Sequence, residues 1–148
     1  MNVNKSSLML FDEGNSCAQA ILGAFAHKVN INFDTAIKIG SGLGGGIGSR
    51  QYICGAVNAG AIILGLKFSN GTSGDLESKE QVTKIVGKFI DECEKELGSV
   101  ECWELLQTDL SNSDQKLTAK ESGLFDRVCN NAVIQTARIL EKYLDEEN

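Results

Sequence analysis

Apolar side chains recur at three- and four-residue steps along most of the chain, the period of a helix with one buried face. Val82, Ile85, Val86, Phe89, Ile90, Cys93 and Leu97 form one such stripe, and Gly98 follows as a stop signal. A long amphipathic helix is predicted over 82–97. The same period returns in Leu124, Phe125, Val128, Cys129, Ala132, Thr136, Ile139, Leu140 and Tyr143, predicting a second long helix over 124–143. A shorter helix fits 16–26, with Asn15 as its cap and Cys17, Ala20, Ile21, Ala24 and Phe25 on its apolar face. Another fits 34–39, and 99–106 reads as a short capped helix with Cys102 in its first turn.

Residues 52–66 are apolar nearly all round, which is the pattern of a central, buried helix. Gly55, Ala56, Ala59, Gly60 and Ala61 would let its neighbours approach closely. No alternation of period two occurs, so strands are not needed. The expected fold is all-α: one domain spanning 1–148, a bundle of five to six helices around the small-residue helix. Two segments interrupt the helical pattern. Residues 69–74 (SNGTSG) form a turn-prone loop, and 40–50 (GSGLGGGIGSR) carry six glycines in eleven positions.

Composition narrows the functional classes. The 148 residues suit a single domain. Fourteen Lys and Arg against 20 Asp and Glu give a net charge of −6. That balance argues against nucleic acid and anionic membranes as partners, because both demand a basic face. The imbalance is local: 75–109 holds ten acids and four bases. This reads first as a solvated helix face and second as a docking surface for a basic partner. The longest apolar run, 53–66, is shorter than the roughly 20 residues a membrane span requires. The amino-terminal segment lacks a basic start followed by an apolar core, so a cytoplasmic location is expected. Thiols stay reduced there, and cysteine sets serve metal or redox chemistry more often than static disulfides.

The cysteines stand at 17, 54, 93, 102 and 129. Cys17, Cys54 and Cys102 each fall at a predicted helix start, where free N–H groups and the macrodipole favour thiolate. Taken singly, each also reads as a small buried hydrophobe. Cys93 and Cys129 lie on apolar stripes and, on spacing alone, read as core. The glycine segment formally matches G-x-G-x-x-G over 40–45, but a helix precedes it where a dinucleotide fold requires a strand. Glycine there either allows close backbone approach or brings N–H groups to an anionic thiolate or cluster. The single histidine, His27, excludes a two-histidine zinc site, and no C-x-x-C is present.

Read in order, Asn15-Ser16-Cys17-Ala18-Gln19-Ala20, the Gly44-Gly45-Gly46 loop, Cys54-Gly55-Ala56 and Leu64-Gly65-Leu66-Lys67 resemble the C_GCAxxG_C_C family of small redox proteins. Where that motif asks for glycine the chain reads Val57-Asn58-Ala59, with Gly60 one place later. The resemblance implies a set of four, Cys17, Cys54, Cys102 and Cys129, with Cys93 as an extra, structural cysteine. It also implies redox activity with an unidentified redox partner. Two chemical forms fit: four thiolates holding an iron–sulfur cluster, or dithiol–disulfide pairs with Cys54 as the low-pKa attacker, with a zinc site on the same four behind them. In either form Gly44, Gly45, Gly46 and Gly55 are the candidate cofactor-binding positions, and Cys17 and Cys54 are expected to lie together. The rival reading is a helical binding or assembly protein whose cysteines only pack. A homodimer through the small-residue helix and glycine loop is the expected assembly.

Overall fold

The computed structural model describes residues 2–145, which are helical throughout apart from turns and one isolated bridge. Eight α-helices follow in order: α1 (Val3–Asp12), α2 (Cys17–Phe25), α3 (Phe33–Gly40), α4 (Gly55–Phe68), α5 (Leu76–Leu97), α6 (Cys102–Leu106), α7 (Ser113–Glu121) and α8 (Leu124–Asp145). The all-α class holds, and the expected five to six helices become eight. The two additions, α1 and α7, have weak apolar stripes. α7 buries only Ala119 among nine residues, and α1 only Val3 and Ser7 among ten.

Local chemistry fixes the element ends. Asp75 accepts the Ser78 backbone N–H and starts α5 six residues before its apolar stripe, while Gly98 at φ 88° closes it. Ser16, rather than the expected Asn15, caps α2: its hydroxyl accepts the Gln19 N–H, and the Gln19 side chain accepts the Ser16 N–H in return. Asn15 instead donates its side-chain amide to Leu10 O at the end of α1.

α4 is the centre. It packs against α2, α5 and α8, and Ala56, Val57, Ala59, Ile63 and Leu64 on it are fully buried. A methyl group at Gly60 would run into the Phe89 ring of α5, so absence of a side chain is what brings these two helices together. Phe89 also meets Tyr143 of α8 edge to face, with ring centroids 5.8 Å apart. Gly55, Ala56, Ala59 and Gly60 are buried inside the chain, whereas Ala61 and Gly65 are half-buried. The acidic stretch is partly used within the fold: Glu96 pairs with Arg138 at 2.9 Å and Glu92 with Lys142 at 3.7 Å. Among the described residues no helix is long and apolar enough to cross a membrane.

The glycine segment winds the wrong way. Gly45, Gly46, Ile47, Gly48 and Ser49 all have positive φ, and Gln51 does too. This left-handed coil is closed by backbone bonds from Ser49 N–H to Gly44 O, Gln51 N–H to Gly45 O and Tyr52 N–H to Gly46 O. A Cβ at Gly46 would lie 2.6 Å from Tyr52 N, and one at Gly45 would lie 2.8 Å from Ser49 Cα. Only glycine fits either place.

Candidate functional site

Three of the four family cysteines stand at helix starts, as the sequence predicts: Cys17 opens α2, Cys54 caps α4 and Cys102 opens α6. The fourth, Cys129, lies within α8. All four line one cavity of about 180 Å³, together with Gly45, Gly46 and Gly55. Gly44 is not among its lining residues; it lies against Ser16, the residue that caps the Cys17 helix. Cys93 lies elsewhere, fully buried in α5 beside Thr136. The spacing-based reading of Cys129 as plain core is therefore superseded: it faces the shared cavity.

Two short strips of backbone hold the frame. Cys54 N–H donates to Val100 O at 2.7 Å, and Cys102 N–H donates to Tyr52 O at 2.7 Å, around a single antiparallel bridge between Ile53 and Glu101. Those bonds lock the starts of α4 and α6 side by side. The Gln51 side chain adds a clamp that sequence reasoning missed. Its amide nitrogen donates to Thr108 O at 2.6 Å, and its oxygen accepts the Leu110 N–H at 2.9 Å. This ties the glycine coil to the segment carrying Leu110, a wall of the cavity. Neither contact has a sequence signature, since each joins residues more than fifty positions apart. The Ser16 cap, by contrast, was readable in Ser-x-x-Gln.

Cys17 and Cys54 line the cavity as neighbours whose thiols shift one another's ionisation, and both are free, as are the other three. The Cys54 thiol holds Cys17 down to about pKa 7, against burial, and the backbone N–H groups of Ala56, Ala18 and Gly55 assist. Those donors come from the first turns of two different helices, α2 and α4, so two positive helix ends converge on one sulfur. Cys54 is pushed well above the ordinary thiol range, first because it donates its proton to Cys17 and then by burial. The sequence places the low-pKa thiol at Cys54, whereas the local hydrogen bonding favours ionisation of Cys17. A helix start favours thiolate, but Cys54 shares its start with a sulfur that receives N–H groups from both helices.

The remaining pair is held neutral. Burial pushes Cys102 up to about 11, and burial, followed by the negative charge of Cys17 and Asp126, pushes Cys129 up to about 12. The site therefore combines one thiol that ionises near neutral pH with three that stay protonated there. Gly55 is essential to the contact, since a Cβ there would lie 2.6 Å from Cys17 Sγ. Although the four sulfurs share a cavity, no three His, Cys, Asp or Glu side chains among the described residues are grouped to hold a metal ion.

Residues 15–143 match the protein family described as "Putative redox-active protein (C_GCAxxG_C_C)", which covers α2 to α8 and all five cysteines. No curated protein and no solved structure matches the chain.

Proposed function

The chain belongs to the C_GCAxxG_C_C family, and from that premise we propose that it is a thiol–disulfide redox protein in which Cys17 and Cys54 cycle between dithiol and disulfide. One observation carries the reading: a thiolate-favouring cysteine and a protonated one, side by side under the N–H groups of two helix starts. Thiolate is the attacking form in disulfide exchange, and an attacker titrating near ambient pH is close to the optimum. Cys17 attacks a sulfur of the substrate disulfide and releases one thiolate. Cys54 then loses its proton, attacks the Cys17 sulfur and releases the second. The dithiol gives up two electrons, and the substrate leaves as two thiols.

Cys102 and Cys129 line the same cavity in protonated form and supply neutral, weakly polar walls; Cys93 takes no part. The partly exposed Cys17 gives a substrate access that the buried Cys54 does not.

A second reading, an iron–sulfur cluster on Cys17, Cys54, Cys102 and Cys129, is favoured by one fact alone, that all four line one cavity. It requires the sulfurs to move together. Anaerobic purification distinguishes the two. The dithiol reading expects colourless, iron-free protein with five titratable thiols, two of which disappear on mild oxidation. Brown, iron-containing protein that bleaches in each of the four Cys→Ser variants would replace it with the cluster.

A further inference from the structure

We propose that the cavity beside Cys17 is a substrate pocket for a small, apolar disulfide without negative charge, with room for a single ring-sized group. This inference rests on the dithiol reading and adds the substrate class to it.

The pocket chemistry carries the argument. Phe11, Leu105, Leu110, Phe125 and Val128 supply its apolar surface, and apart from the Cys17 sulfur itself no charged side chain lines it. A carboxylate entering there would lose its water and meet only the like charge of the Cys17 thiolate, a cost that excludes anionic disulfides. The short helix bearing Cys102 and Leu105 also carries the exposed acids Glu101 and Glu104, which repel an anionic visitor before it enters. Volume sets the size. At about 180 Å³ the space is below the usual range for drug-sized ligands and comparable with apolar cavities that accept one benzene-sized molecule.

The same lining argues for an S–S bond as the reacting group. Breaking a peroxide expels an alkoxide, which needs a strong proton donor; no histidine, carboxyl or tyrosine side chain lines the cavity, and burial makes the Cys102 and Cys129 thiols there weak acids. A thiolate leaves unaided, as its conjugate acid is far stronger. In the step itself the Cys17 thiolate attacks one sulfur of R–S–S–R, forming Cys17–S–S–R and expelling RS⁻, which takes up a proton. Cys54, deprotonated, then displaces the second RS⁻ and closes the Cys17–Cys54 disulfide. Two electrons pass from the protein to the substrate.

The test compares neutral dipyridyl disulfide with the doubly anionic bis(nitrobenzoate) disulfide on the reduced, full chain. Each rate is divided by that of the same reagent with the urea-unfolded protein, which removes intrinsic reactivity. The neutral reagent should keep a normalised advantage of about tenfold or more, as expected when one buried charge goes unpaired. Val128→Phe, which fills the pocket, should remove about tenfold of the neutral reagent's rate while iodoacetamide still reaches Cys17 within about twofold. If that variant does not fold, saturating toluene on the wild type should slow the neutral reagent and raise the melting temperature. Equal normalised rates, or a neutral rate indifferent to both Val128→Phe and toluene, would overturn the pocket. The two readings fail separately. A charged reagent as fast as the neutral one, with Cys17–Cys54 still closing, removes only the substrate class. A selective mixed disulfide on Cys17 that Cys54 never displaces removes the dithiol cycle.

Discussion

At the scale of single residues, the site turns on which of two adjacent sulfurs keeps the proton. Cys17 is held near pKa 7 by the Cys54 thiol and three backbone N–H groups. Its alkylation by iodoacetamide should therefore rise through pH 7 and fall roughly tenfold per unit below it, with other thiols much slower. Cys54→Ser retains a donor and should keep this midpoint low, whereas Cys54→Ala should move it up toward the ordinary thiol value. A midpoint unmoved by Cys54→Ala would assign the shift to the helix starts alone. Stability is a poorer readout than reactivity. The lowered Cys17 value adds stability that is full above pH 9 and is lost as pH falls through 7. The raised Cys54 value acts in the opposite sense, adding stability at low pH that is lost at high pH. Gly55→Ala tests the contact itself. Its added methyl would meet Cys17 Sγ at 2.6 Å, so the sulfurs must part. The alkylation midpoint should rise by a unit or more, roughly the effect of losing one hydrogen bond to the thiolate. The variant should remain helical by circular dichroism.

At the scale of elements, the left-handed coil before α4 is where strain is stored. Ile47 is β-branched and sits at φ 71°. Such a residue costs about 1–2 kcal/mol there, so Ile47→Gly should stabilise the protein by about 1 kcal/mol in urea unfolding. Gly46→Val should do the reverse and slow Cys17 alkylation, because its Cβ would strike the Tyr52 backbone. Cys93→Ala belongs with α5: a small cavity costing about 1 kcal/mol, and an unchanged Cys17 rate. The long helices were legible because each carries a strong apolar stripe; α5 and α8 differ from their predicted spans mainly at polar ends, where capping decides and periodicity is silent. α7 was not legible because it buries almost nothing. The three cysteines at helix starts were legible from caps and turns. That Cys129 joins them, and that ionisation is favoured at Cys17, depends on packing between helices distant in sequence, which no local pattern records. The Gln51 clamp is hidden for the same reason.

At the scale of the molecule, a central helix made of small residues lets α2, α5 and α8 close around it, and α4 begins at the cavity. The family motif Cys-Gly-Ala is thus a packing device and a chemical one: Cys54 supplies a sulfur, Gly55 makes room for another, and Ala56 contributes an N–H. The most direct measurement is disulfide mapping by mass spectrometry after exposing the reduced protein to one equivalent of a neutral disulfide. The account predicts a Cys17–Cys54 link in the wild type. It also predicts a mixed disulfide stranded on Cys17 in Cys54→Ser and almost no reaction in Cys17→Ser. A mixed disulfide that forms on Cys54 at the wild-type rate when Cys17 is replaced, or a principal link between any other two cysteines, would contradict it.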